Sequence, residues 1–213
     1  MSRTRIAVLV SGGGTNLEAL LQAQEAGGIP HGEIVLVLSS AEGAYALERA
    51  KNHGVPGFAV PRRGNGRAQF EAGLQAKLEE YGAELIVLAG FLSILSADFV
   101  KRWPGRILNV HPSLIPAFCG KDYYGLRVHE AALARGVKVS GATVHLVNEI
   151  ADGGPILLQR AVEVLHDDTP ERLQRRIMEQ AEWVLLPQAA ELMAEKLTME
   201  MILLQLRYAG LEE

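Results

Sequence analysis

The chain has 213 residues, one cysteine and a net charge of −4, with a pI near 5.9. That length suits a single α/β domain with a full core, and 48% hydrophobic content argues against disorder. The charge gives no footing for a nucleic-acid surface. The lone Cys119 excludes an internal disulfide or a cysteine-built metal site. No apolar run nears the ~18–20 residues of a membrane span. The first apolar run is too short for a signal-peptide core, so a cytoplasmic protein is expected.

Residues 6–10 (Ile-Ala-Val-Leu-Val) read as a strand. Ser11-Gly12-Gly13-Gly14-Thr15-Asn16 follows, and Leu17, Leu20 and Leu21 then recur at helical spacing. A strand, a glycine-rich turn and a helix make an anion site. The glycines let the backbone come close, and the free N–H groups of the helix start face the ligand. The turn is not a dinucleotide fingerprint, which would need glycine at Leu17, and no Gly-Lys-Ser/Thr follows to make a P-loop. A plain strand-to-helix turn is the alternative. Three glycines before Thr-Asn favour phosphate.

Residues 33–39 read as a second strand, with a continuous apolar run from Ile34 to Leu38 as in a strand covered on both faces. A helix is expected over 44–52, a short strand over 57–60, and a loop with Arg62, Arg63 and Arg67 leads into a helix over 67–81 with Phe70, Leu74 and Leu78 on one stripe. Residues 85–89 read as a fourth buried strand. It runs into Phe91-Leu92-Ser93-Ile94-Leu95, a loop too apolar to be exposed unless it packs or lines a pocket. Ser96 suits the N-cap of a short helix over 98–102.

The next strand ends in Asn109-Val110-His111-Pro112-Ser113-Leu114-Ile115-Pro116. Asn109 and His111 are two apart and therefore share a face. In open parallel sheets, ligands bind at such strand ends. A loop with three aromatics follows, then a helix over 126–135 carrying His129. Residues 140–147 and 156–162 read as two adjacent strands, hence a hairpin, joined by a polar loop with Asp152-Gly153-Gly154-Pro155. Thr169-Pro170-Glu171 opens a helix that is expected to run to about residue 197 with a kink at Pro187. Residues 198–213 have no assigned structure. The architecture implied is a mostly parallel, Rossmann-like α/β sheet with helices on both faces and an antiparallel strand pair near the C-terminus, as one domain over residues 1–197.

Asn109, His111 and Asp152 supply an amide donor, an imidazole and a carboxylate to orient it, a layout suited to acyl transfer. A histidine on an apolar strand is structural by default, and His145 is read that way.

These motifs together resemble the phosphoribosylglycinamide formyltransferases, which are folate-dependent enzymes of purine synthesis. The resemblance rests on Asn109-x-His111-Pro-Ser-Leu-Ile-Pro116, the turn from Ser11 to Asn16, Ala89-Gly90-Phe91 and Asp152-Gly-Gly-Pro155, and runs from about residue 5 to about 196. It implies transfer of a formyl group from 10-formyltetrahydrofolate to glycinamide ribonucleotide by direct amine attack, without a metal. Asn109 and His111 would stabilise the oxyanion, and Asp152 would aid proton transfer. Gly13, Gly14, Thr15, Asn16 and Glu182 would bind the ribonucleotide. Arg67, the loop from Phe91 through Leu92, Ser93, Ile94 and Leu95, and Val147, Asn148, Glu149, Asn109 and Asp152 would bind the folate. The partners implied are small molecules, with neither nucleic acid nor membrane, and the protein would be a monomer or homodimer.

The chain departs from the family pattern at Ser93, where many members carry arginine, in the longer loop over 118–125, and after Thr198. The role of His129 stays open. A transfer-RNA formyltransferase or a formyltetrahydrofolate hydrolase would need a further domain for which the length leaves no room. A non-catalytic nucleotide module leaves Asn109, His111 and Asp152 unexplained as a set.

Overall fold

The computed structural model describes residues 3–208. In order it contains β1 (Thr4–Val10), α1 (Thr15–Glu25), β2 (Gly32–Ser39), α2 (Tyr45–Asn52), β3 (Gly57–Ala59), α3 (Arg67–Glu80), β4 (Leu85–Leu88) and α4 (Ala97–Lys101). There follow β5 (Ile107–His111), α5 (Leu126–Arg135), β6 (Val139–Leu146), β7 (Ile156–Glu163), α6 (Pro170–Ile177), a π-helical turn (Met178–Glu182) and α7 (Trp183–Tyr208).

The strands form one sheet in the order β3-β2-β1-β4-β5-β6-β7. The first five run parallel, and β6 lies antiparallel to both its neighbours. The expected strand pair is present. Its consequence is larger than a hairpin, because the reversed β6 also pairs with β5 and sets Asn109 opposite His145.

Side chains of β1 alternate between two cores, which is why its apolar run is unbroken. Ile6, Val8 and Val10 pack with Leu17 and Leu20 of α1 and Ala189, Ala190 and Met193 of α7. Ala7 and Leu9 pack on the other face with Phe70, Leu74 and Leu78 of α3 and with Phe99 and Trp103. After β3 the chain crosses back to β4 on the other side of β1. That reversal opens a crevice at the carboxyl ends of β1 and β4, where open sheets hold ligands.

Two caps follow the sequence closely. Ser96 Oγ accepts the Phe99 N–H at 3.1 Å to start α4, and Thr169 Oγ1 accepts the Arg172 N–H at 3.3 Å to start α6, with Pro170 in its first turn.

The C-terminal helix continues past Pro187 as expected and extends beyond residue 197. No break falls at Pro187, and α7 runs through it to Tyr208. The irregularity lies one turn earlier, in the π turn Met178–Glu182. A π turn holds one extra residue; this one buries both Ala181 and Glu182. The helical ladder is thus already interrupted before Pro187 removes its N–H. The segment after 197, unassigned from sequence, continues α7: Thr198 is buried, and its Oγ1 lies 3.2 Å from Thr4 Oγ1 at the start of β1. Residues 209–213 of that segment lie outside the described residues. No described helix is long and apolar enough to cross a membrane.

Candidate active site

The glycine turn forms one wall of the crevice. Ser11 through Asn16, with Ala89, Gly90 and Leu92, line a cleft of about 350 Å³. Gly14 adopts a left-handed conformation (φ 73°) at the N-cap of α1, and no side chain caps the helix. A Cβ there would sit 2.6 Å from the Ala46 Cβ, so glycine is required both by its φ and by the close approach of α2. The uncapped first turn leaves N–H groups for an anion.

Asn16, in that first turn, donates from Nδ2 to Glu182 Oε2 at 2.7 Å. The π turn therefore delivers a carboxyl to the glycine turn from 166 residues away. Burial pushes the Glu182 carboxyl up to about 6, against the opposing bond from Asn16.

The second wall is built on β5, adjacent to β4 and two strands, or about 10 Å, from β1. His111 is buried, and both its nitrogens face acceptors. Nε2 lies 2.8 Å from the Phe118 carbonyl, and Nδ1 lies 3.5 Å from Asp152 Oδ2. Whichever nitrogen carries the proton, the ring is fixed between the two oxygens. Asp152 arrives on the loop after β6. That loop folds back because Gly154 packs on the Leu146 carbonyl, where a Cβ would lie 1.8 Å from the oxygen. Asp152 itself holds φ 54°, rare for a residue with a side chain and typical of functional sites. Its Oδ2 also accepts the Gly120 N–H at 2.8 Å. Burial alone would raise the carboxyl. The facing His145 imidazole, the His111 charge and the Gly120 N–H outweigh it and hold the group below the usual aspartate range.

Asn109, His111 and Asp152 are thus brought together, with a fourth member that the sequence reading had assigned to structure. His145 Nε2 lies 3.1 Å from Asn109 Nδ2 and 3.6 Å from Asp152 Oδ1. The available signal was the hairpin. Had β6 been run antiparallel to β5 as well as to β7, Asn109 and His145 would have emerged as a polar cross-strand pair. His129 on α5 is also close by and fully buried. Burial, reinforced by His111, pushes its imidazole down to about 4, and neither ring nitrogen has a partner among the described residues.

The proposed folate-binding residues separate into groups. In the loop after β4, Phe91 stacks on Phe70 and Leu95 packs inward, while Leu92 and Ile94 project outward, 67% and 70% exposed. The Leu92 N–H is held by Ser11 Oγ at 2.9 Å, which ties this loop to the glycine turn. Ser93 is half-buried between the two outward side chains. Val147 and Asn148 are half-buried and Glu149 is exposed, on the loop that carries Asp152. Ile150 adds a third outward apolar side chain there. Outward apolar groups on two loops flanking a polar centre suit a flat heteroaromatic ligand. Arg67 stands apart, in a separate cleft of about 370 Å³ with Glu71, Ser96, Asp98 and Arg102. Among the described residues no group of histidines, cysteines and carboxylates is arranged to hold a metal.

A phosphate-ready turn beside an Asn-His-Asp centre on this sheet defines the class: the chain belongs to the formyl transferase family, which it matches over residues 4–189. Among solved structures it is similar to glycinamide ribonucleotide transformylase 1 from Symbiobacterium toebii, with 43% identity, a TM-score of 0.84, and coverage of 91% of this chain and 89% of that one. Among curated proteins it is 43% identical over 194 residues to the trifunctional purine biosynthetic protein adenosine-3 of Gallus gallus, covering 91% of this chain. It is also 39% identical over 180 residues to the chloroplastic phosphoribosylglycinamide formyltransferase of Arabidopsis thaliana, covering 83% of this chain. The chain spans 19% of the first and 61% of the second of these curated relatives.

Proposed function

We propose that this chain transfers the formyl group of 10-formyltetrahydrofolate to the amine of glycinamide ribonucleotide in purine biosynthesis. The observation that carries the reading is the convergence of Asn109, His111 and Asp152 beside the glycine turn. One Asn109 Nδ2–H is engaged by His145, and the other is available to the formyl oxygen. A donor of this kind is typically worth ~2.7–4 kcal/mol when charge develops on that oxygen. His111, held between Phe118 and Asp152, stabilises the same charge. Asp152 faces His111 and accepts the amine proton, a role worth about 10²–10⁴-fold in rate. In the balanced step the amine nitrogen bonds to the formyl carbon, the carbon–nitrogen bond to the folate breaks, and the proton lost by the amine passes to the folate nitrogen. No enzyme acyl intermediate is required.

Gly13, Gly14, Thr15 and Asn16 bind the phosphate end, and Glu182 receives the ribose. The loop from Phe91 to Leu95, with Val147, Asn148 and Glu149, holds the folate; Arg67 meets it only if the folate tail reaches the second cleft. The protein works as a monomer or homodimer in the cytoplasm, and residues 1–197 make up its formyl-transfer domain.

The test is tetrahydrofolate release from 10-formyltetrahydrofolate with and without glycinamide ribonucleotide. Release that depends on the amine, with formyl glycinamide ribonucleotide as product, is expected. Equal release without the amine assigns a hydrolase instead, and no release from folded protein overturns the enzymatic reading.

A further inference from the structure

The glycine turn faces the cleft with its N–H groups because its carbonyls are bound from behind. Gly12 O accepts the Ala46 N–H at 3.1 Å, and Gly14 O accepts the Glu18 N–H at 2.9 Å. Between them, Gly13 O accepts Arg49 Nε–H at 2.9 Å. In a trans peptide the carbonyl of one residue and the N–H of the next point in opposite directions. Three carbonyls drawn toward α1 and α2 therefore turn the Gly13, Gly14 and Thr15 N–H groups the other way. None of those three N–H groups has an acceptor among the described residues. Two of the three anchors are backbone groups. The middle one is a single side chain.

We propose that Arg49 is a positioning residue for the phosphate of the substrate, acting through the Gly13 carbonyl rather than by touching the phosphate. Its guanidinium is engaged elsewhere: Nη1 donates to Glu18 Oε2 at 2.7 Å, and the group lies 5.1 Å from the Tyr45 ring centroid. The pair with Glu18 also neutralises a carboxylate in the first turn of α1, where it would otherwise repel an incoming dianion. Arginine suits the post because Nε and Nη1 lie in one rigid plane, so one side chain bonds the turn and Glu18 together. A lysine ammonium is a point charge and does not reproduce that fork.

The inference rests on the reading of the glycine turn as the phosphate subsite, and its test is independent of turnover. Ribose 5-phosphate binding is measured by calorimetry on the wild-type chain, Arg49→Met and Arg49→Lys. Affinity is expected to fall about tenfold or more in Arg49→Met and to recover only in part in Arg49→Lys. In steady-state assays, KM for glycinamide ribonucleotide rises by the same factor, while kcat and KM for 10-formyltetrahydrofolate stay within about twofold. The dephosphorylated glycinamide riboside, used as a poor substrate, is unaffected. Unchanged ribose 5-phosphate affinity in Arg49→Met overturns the proposal, as does an equal loss with the riboside or with the folate, which marks general disorder. If Arg49→Met does not fold, Arg49→Lys carries the test alone: ribose 5-phosphate affinity severalfold below wild type with riboside turnover unchanged supports the proposal, and wild-type affinity overturns it. A wild-type chain that binds ribose 5-phosphate but transfers no formyl group defeats the enzymatic reading and leaves this inference standing.

Discussion

Asn109 Nδ2 and His145 Nε2 face each other at 3.1 Å across the β5–β6 ladder. His145 Nδ1 lies 2.9 Å from the Leu146 carbonyl and therefore carries a proton. Where Nε2 accepts from Asn109, the carboxamide turns its nitrogen toward His145; the opposite orientation would set two acceptors against each other. Asp152 Oδ1 lies 3.6 Å from the same Nε2, so the amide and the carboxylate meet at one ring nitrogen. His145→Leu frees the amide to turn and is expected to lower kcat about 10- to 100-fold, below the full effect of losing a donor. His145→Gln offers an acceptor in the same region and should recover most of the loss. In an Asn109→Ala background the His145→Leu change should add little, because the two act as a unit. Additive losses would separate His145 from Asn109.

Asp152 binds no substrate phosphate in this reading, so its removal should spare phosphate binding. Asp152→Asn keeps the size and retains an oxygen for the Gly120 N–H, but loses the charge facing His111. Turnover should fall by about 10²–10⁴-fold, with ribose 5-phosphate affinity unchanged in calorimetry. Retained turnover would take Asp152 out of the mechanism.

The sheet was legible because its strands are continuous apolar runs separated by glycine and proline punctuation, and local pattern alone decides such elements. Asn109 and His111 were legible as a pair because strand parity is local as well. What escaped the reading depends on long-range contact. The part played by His145 needs the partner of β6, which no run of residues states. The π turn that buries Glu182 lies against β6 and β7, contacts that no local pattern states. The division between inward Phe91 and Leu95 and outward Leu92 and Ile94 depends on Phe70 from α3. Arg67 reads as a site residue from its place at a helix start, yet it lines a different cleft.

Glu182 makes a prediction about stability with a definite sign. Its carboxyl rises from an ordinary 4.5 to about 6 on burial, so between those values the native chain holds more protons than the unfolded one. Stability from this group is complete below pH ~4.5 and is lost as pH climbs past 6, by about 2 kcal/mol at most. Glu182→Gln keeps an acceptor for Asn16 and cannot ionise. Urea midpoints at pH 5 and pH 7 should show the variant gaining on the wild type at the higher pH, while its affinity for the ribonucleotide weakens. A gain of the same size at both values would show that the carboxyl does not titrate in this window.

His129 pulls the other way. Its imidazole falls from an ordinary 6.5 to about 4, first through burial and then through the nearby His111. The unfolded chain therefore binds a proton that the native chain refuses. Stability is complete above pH ~6.5 and declines as pH drops toward 4, by about 3 kcal/mol over the whole range. Both ring nitrogens are buried without partners among the described residues, so even the neutral ring carries a desolvation cost. His129→Leu removes both costs at similar volume. It should raise the urea midpoint modestly at pH 7 and more strongly at pH 5, flattening the acid side of the stability profile. With Glu182→Gln also in place, the profile between pH 4.5 and 6 should lose both opposing slopes. A wild-type profile that rises on acidification through pH 6 to 5 would mean that Glu182 outweighs His129. A His129→Leu chain less stable than wild type at pH 7 would mean that the buried nitrogens have partners, such as a held water, that leucine cannot replace.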